Sequence, residues 1–426
     1  MVKSGGSVCR GSQLADAARS AVGSTQPTPP GVGERLPQRD ATASGRCVLI
    51  TVGAVALSLA LALVVGSLIP AGAKAPKVSA SYPERESFVH QFAPNTGPWV
   101  FTFTIPIENA DPWDVEVVSG ASHVDVWFTA SGADQIGRLV YTDTSDYAFY
   151  THTLASGSRP LNLVSGGGFI WFTAAEGDYI GRLNPTTGEI DEFEVTVGSY
   201  PADLDVAPDG SVWFTQMETD RIAHLLVTSA AHYTVIEYYG PSLSGGQPYG
   251  IVVVGADIYF AQTAKDRVTC FRPPDSWVHI QGFVPGLPDE PYALVVDGLG
   301  YVWGTELSGN RVSLFDFGTF PIVVPYSLSP SDSLPTDIAV DPSDSLWFTQ
   351  RGAGQIGRLI RSVPPQKDYY PLPLRGLAPT GIAVDSGGAA WTVSSSDSGG
   401  DSFIHRFDPE RLFRLFLPIA MKESAQ

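Results

Sequence analysis

Residues Pro335 to Leu359 read PTDIAVDPSDSLWFTQRGAGQIGRL. The pattern predicts a short apolar strand from Asp337 to Val340 and a turn from Asp341 to Ser345. A second strand through Leu346-Trp347-Phe348-Thr349, a polar turn and a third strand carrying Gln355-Ile356-Gly357-Arg358-Leu359 follow. Related stretches begin at Pro112, Arg159, Tyr200, Pro248, Pro291 and Pro379, which makes seven units. Before each Pro stands one more alternating stretch, such as YAFYTHTL (147–154) or EIDEFEV (189–195), so each repeat holds four strands. A similar stretch, RLFRLFLPI (411–419), follows the last unit.

One aromatic per unit measures the period: Trp127, Trp171, Trp213, Tyr259, Trp303, Trp347 and Trp391, separated by 44, 42, 46, 44, 44 and 44 residues. Four strands in about 44 residues is the size of a propeller blade. The fold expected is all-β, a seven-bladed β-propeller of four-stranded antiparallel blades, and these aromatics are read as blade-to-blade core. The extra strands at 87–107 are expected to clasp the ring against the last blade, because an open edge recruits other chains.

Composition agrees with many short strands: 43% apolar, 16% charged, 44 Gly and 34 Pro. Residues 1–75 carry seven basic and three acidic side chains, and the remainder 19 and 41, a balance of −22. Such a surface repels phosphate backbones, which argues against nucleic acid and leaves cations, sugars and neutral ligands.

Residues 1–46, rich in Gly, Ser, Ala and Pro, read as a disordered leader. Residues 47–73 carry no charge and are long enough to span a bilayer, as a signal-peptide h-region or an anchor helix. Basic residues before them favour a cytoplasmic N-terminus, so the propeller (87–426, after a linker at 74–86) is expected to be extracytoplasmic, monomeric, and tied to membrane only through this segment. Of three cysteines only Cys270 lies in the folded part, where it reads as an incidental thiol outside any intramolecular disulfide.

In a propeller the first strand of each blade lines the central channel. Two residues after each leading Pro come Asp114, Asn162, Asp203, Gly250, Ala293, Asp337 and Gly381. The four oxygen-bearing members, Asp114, Asn162, Asp203 and Asp337, are candidate ligands for Mg²⁺ or Ca²⁺; alternatively each caps its own strand through an Asx-type bond. Three residues after each anchor aromatic come Ala130, Ala174, Gln216, Gln262, Glu306, Gln350 and Ser394. Gln216, Gln262 and Gln350 are candidate ligand contacts. Trp113, Tyr249 and Tyr292, directly after their prolines, offer stacking area at the channel mouth for a small molecule, sugar or peptide, or for a cell-envelope protein.

The pattern P-x-x-[IVL]…[VIL]-W-F-T…[DG]-x-I-G-R-[LI] resembles that of the streptogramin B lyase (virginiamycin B lyase) group of seven-bladed propellers over about residues 112–419. The resemblance implies a Mg²⁺-assisted elimination that opens a cyclic depsipeptide, with histidines after the leading Pro and glutamates after W-F-[TA]. Here those first positions are Trp113, Leu161, Ala202, Tyr249, Tyr292, Thr336 and Thr380, none of them His; only Glu306 keeps the acid. A proton acceptor poised near neutral pH is therefore missing. Two expectations result. The first is ligand or partner binding at the channel mouth without His-dependent chemistry. The second is a divergent Mg²⁺/Ca²⁺-dependent lyase or a lactonase of the gluconolactonase-like kind, with Glu306 as acid/base.

Overall fold

The computed structural model describes residues 99–408, apart from 145, 241, 274–275, 282–288, 318–321 and 397–399, together with the strands Cys47–Ile50 and Phe88–Gln91. Seven antiparallel sheets stand around a channel, with strands in chain order from the axis outward in five of them and N-terminal strands added at the outer edge of the other two. The innermost strands are Pro112–Ser119, Pro160–Gly166, Pro201–Val206, Pro248–Val254, Pro291–Val296, Ile338–Val340 and Leu377–Val384. The chain is a seven-bladed propeller.

The seventh blade takes its outermost blade strand from the other end of the chain. Trp99–Thr104 pairs with Ser402–Asp408, and Phe88–Gln91 extends that sheet by one more strand. Phe101, Phe103 and Trp391 of this blade then pack with Val115, Val126 and Phe128 of the first, giving the seventh junction a core like the other six.

The repeated motif explains itself once the register is known. The Phe of W-F-T faces the Gly of I-G-R across the second and third strands: Phe128 on Gly137, Phe172 on Gly181, Phe348 on Gly357. A Cβ on Gly181 would stand 2.0 Å from the Phe172 ring. Where the Phe is replaced, as at Gly304, the facing residue grows to Ser313; opposite Thr392 it is His405. The Arg of I-G-R lies over the Trp of its own blade, at 4.9 Å for Arg138 on Trp127 and 5.2 Å for Arg358 on Trp347. The buried anchor aromatics are packing residues between blades.

The aspartate that ends each tight turn before that strand also recurs. Asp134, Asp178, Asp220 and Asp266 adopt the left-handed conformation, φ 51° to 54°. Their carboxylates accept amides of the next loop, Asp178 from Gly198 at 2.7 Å and Ser199 at 3.0 Å. Each leading Pro is thereby held in place by the turn before it.

One expectation for the N-terminal part changes. Cys47–Ile50 forms a strand that adds to the outer edge of the third blade beside His232–Tyr238, so the expected helix does not begin at Cys47. Val48, Leu49 and Ile50 suit an unpaired sheet edge as well as a helix. The leader, the hydrophobic run from Thr51, the linker and the tail beyond Asp408 lie outside the described residues. Among the described residues no helix is long and apolar enough to cross a membrane.

Cys270 is disulfide-bonded, which corrects its reading as an incidental thiol. Spacing could not show this, because the chain's other cysteines are Cys9 and Cys47, far upstream.

Two outcomes are expected. Gly181→Val should cost about 1–3 kcal/mol in urea unfolding through overpacking against Phe172, and much less in a Phe172→Ala background. Peptide mapping without reductant should couple the Cys270 peptide to one carrying Cys9 or Cys47; a freely alkylated Cys270 would contradict the bond.

Candidate functional site

A β-bulge builds the site. In six blades the register of the innermost strand slips after the leading proline, between Pro112 and Val115, Pro160 and Leu163, Pro201 and Leu204, Pro248 and Ile251, Pro291 and Leu294, and Pro379 and Ile382. The bulge frees two residues from regular pairing and re-aims them at the axis. Their exposed amides need acceptors, and the threonine of W-F-T supplies one. Thr129 Oγ1 accepts from the Asp114 amide at 3.0 Å, Thr173 from Asn162 at 3.1 Å, Thr215 from Asp203 at 3.1 Å and Thr349 from Asp337 at 2.9 Å.

Asp114, Asn162, Asp203 and Asp337, each two residues after the residue that leads its blade, sit in the channel. Asp114 Oδ1 accepts its neighbour's amide, Val115, at 2.8 Å, and Oδ2 accepts Leu163 of the next blade at 2.9 Å. Asp203 does the same with Leu204 and Ile251, both at 2.8 Å, and Asp337 with Ile338 at 2.8 Å and Ile382 at 2.7 Å. Asn162 donates to Asp203 Oδ1 at 2.9 Å. Two residues further down, Glu116 accepts from Ser165 and Asp205 from Val253 across the same junctions. The aspartates thus make the Asx-type bond to their own strand and also clamp one blade to the next.

These side chains line a cavity of about 460 Å³ that runs from the level of Asp114 to that of Val296, Val340 and Val384. It contains five carboxyl groups and no basic residue. Half-buried by surface yet ringed by protein, the carboxyls lose much of their hydration. Burial raises Asp203 and Asp337 to about 7 and Asp205 to about 6. Asp114 is pushed well up by burial and then by the charge of Asp337; burial raises Glu116 as well.

As a metal site the ring does not fit. Asp114, Asp203 and Asp337 each have both oxygens engaged by backbone amides. Among the described residues no group of three or more His, Cys, Asp or Glu side chains could hold a metal ion.

The first bulge residue forms the mouth. Trp113, from the first blade, donates its indole N–H to the Tyr249 hydroxyl of the fourth at 2.8 Å. The Tyr249 ring stacks on Tyr292 of the fifth, with centroids 3.9 Å apart and planes at 22°. Arg351, from the sixth, places its guanidinium 5.5 Å from the centre of the Trp113 ring. Four blades therefore meet over the axis, and the channel is roofed at this end. Tyr249 is buried, Trp113 and Tyr292 half-buried, Arg351 exposed.

The amide positions lie elsewhere. Gln216, Gln262, Gln350 and Glu306 are fully buried and turn along their own blades. Gln216 donates to Glu237 at 3.0 Å, Gln262 accepts from Arg267, and Gln350 accepts from Gln355 at 2.7 Å. Glu306 is paired with Arg311, which also binds Asp289; burial raises its pKa. None of the four lines the cavity. Of the histidines with described side chains, His152, His224, His232 and His405 stand on third or outermost strands and His123 in a turn; none lines the cavity or joins the mouth.

The sequence profile of the virginiamycin B lyase family matches residues 99–319. The chain belongs to this family. A streptogramin B lyase structure superposes with a TM-score of 0.62 at 22% identity, covering 73% of this chain and 98% of that one. A catalytically inactive His-to-Ala variant of virginiamycin B lyase from Staphylococcus aureus with quinupristin gives 0.62 at 21%, covering 72% and 99%. No curated protein sequence matches. At these identities the likeness of this virginiamycin B lyase family member to the solved structures is one of fold.

The channel acids give a pH test. A carboxyl whose folded pKa is raised binds protons more readily when folded, so its contribution is full at low pH and lost as pH rises through the folded value. Asp203 and Asp337 set that loss near pH 7. Burial lowers His152 and His224, which act oppositely as pH falls through their ordinary value of about 6.5. Five raised channel carboxyls outweigh the two histidines, so the Tm should change little above about pH 8 and climb as pH falls from about 7 toward 5. Asp203→Asn with Asp337→Asn should flatten that rise; an unchanged slope would count against the assignment.

Proposed function

We propose that this member of the family binds a ligand on the mouth face of the propeller and does not open cyclic depsipeptides. The observation that carries the reading is the convergence of Trp113, Tyr249, Tyr292 and Arg351 over the axis. These aromatics stand at the positions directly after the leading prolines, where the family resemblance calls for histidine. An indole and two phenols give stacking area and hydrogen-bond donors but no proton acceptor near neutral pH. Burial raises both phenols further from use as bases. Glu306, the remaining candidate acid/base, is buried beside Arg311 and off the channel.

The ligand on this reading is a small molecule, sugar or peptide with a flat face that lies on the roof rather than in a deep pocket. Aromatic contacts of this kind contribute about 0.5–1.5 kcal/mol each beyond buried area. We also propose that the protein works outside the cytoplasm. A disulfide at Cys270 supports this, because such bonds persist in oxidising compartments. It also requires Cys270 and an N-terminal cysteine to share one side of any membrane, which favours a hydrophobic segment that does not separate them.

The test pairs binding with turnover. A streptogramin B-type cyclic depsipeptide and a panel of neutral oligosaccharides are titrated against intrinsic Trp fluorescence, and cyclic and linear depsipeptide are separated chromatographically after incubation with Mg²⁺. Saturable quenching by at least one of these ligands, abolished by Trp113→Ala, with no linear product above the protein-free control, is expected. Enzyme-dependent ring opening would overturn the reading.

A further inference from the structure

Acidic residues outnumber basic ones by more than two to one beyond residue 75, so an arginine in this protein is surrounded by potential partners. Most take one: Arg159 pairs with Glu176, Arg221 with Glu237, Arg358 with Asp341. Arg351 and Arg375 do not. Both are exposed, and among the described residues neither has a carboxylate within ion-pair distance. Both belong to the mouth side of the sixth blade. The turn that begins at Arg351 packs on the loop holding Arg375, where the Leu372 amide donates to the Gly354 carbonyl at 2.9 Å.

Arg351 is also positioned. Its guanidinium lies over Trp113, and the backbone amide of the same residue donates to the Leu334 carbonyl at 3.2 Å, fixing the turn. A guanidinium held over an aromatic face keeps N–H donors free in one plane. That planar fork matches the two oxygens of a carboxylate, which a point charge does not. The surrounding field, with a balance of −22, repels highly charged anions at a distance, so the local pair selects a singly charged group presented at short range rather than a phosphate.

We infer that the roof recognises a carboxylate carried beside a planar or aromatic group, the carboxylate on Arg351 and the planar group against Trp113 and Tyr292. The inference rests on the mouth being the binding face and adds the chemical class of what binds there. Arg375, on the neighbouring loop, adds a second positive charge on the same side.

The experiment uses N-acetyl-L-phenylalanine and its uncharged counterpart N-acetyl-L-phenylalaninamide, each titrated into the full chain by calorimetry and Trp fluorescence. The carboxylate should bind at least tenfold more tightly than the amide. Arg351→Ala should bring the two to the same affinity, Arg351→Lys should restore only part of the gap, and Arg375→Ala should narrow it less. Arg351 is exposed, and an unchanged melting curve will show that the variants fold. Equal affinities in the unaltered protein, binding of neither probe, or a gap that survives Arg351→Ala would each overturn the inference. Equal affinities that are both lost in Trp113→Ala would leave the binding face standing and remove only the carboxylate. Affinities indifferent to Trp113→Ala would remove the face itself.

Discussion

Seven strands that converge on one axis bring equivalent side chains into a space too narrow for seven of any size. Each position at the channel level must therefore be small or must find a partner on the neighbouring blade. Gly381 is small because a Cβ there would stand 2.6 Å from the Asp114 Cα, and Gly250 because one would meet the Tyr292 carbonyl at 2.3 Å. Asp114, Asp203 and Asp337 take the other course and receive the amides of the next blade. The belt that results joins blades one to two, three to four and six to seven, and it leaves five carboxyl groups in a poorly hydrated channel. Their raised pKa values are a consequence of the architecture and need no bound ion to account for them.

The same constraint decides what the mouth can be. The bulge after each leading proline sends one side chain toward the axis above the belt, and its threonine support is a packing feature of the repeat. What the side chain is remains free to vary. In this chain three of the seven are large aromatics, and they meet. A histidine at such a position would face the mouth with a titratable nitrogen; Trp113, Tyr249 and Tyr292 instead close on one another. Scaffold and mouth are separable in this fold: the repeat fixes the bulge and its threonine, while the residue after the proline varies from blade to blade.

Much of the scaffold was legible in the sequence because its rules are local. The spacing of Trp127 to Trp391 fixed blade size and number, and the P-x-x pattern marked the strands that reach the axis. Asp114, Asn162, Asp203 and Asp337 line the channel. Their task was only half visible: the bond to each aspartate's own strand is local, whereas the amide on the next blade lies 45 to 49 residues away. Trp113 and Tyr249 are 136 residues apart; the repeat gives both the same place after a leading proline but not the bond between them. Gln216, Gln262 and Gln350 end strands beside the channel, and that position alone suggests they face it. The signal against that was the third strand, where Arg267 and Gln355 stand directly opposite Gln262 and Gln350.

The roof over the channel depends on the bond from the Trp113 indole to the Tyr249 hydroxyl. The direct measurement is a ¹⁵N–¹H spectrum of the Trp indole groups, with Trp113 assigned by its loss in Trp113→Phe. In a closed roof this N–H exchanges slowly with solvent and its resonance moves in Tyr249→Phe. A Trp113 indole that exchanges as fast as a free one, and does not respond to Tyr249→Phe, would contradict it.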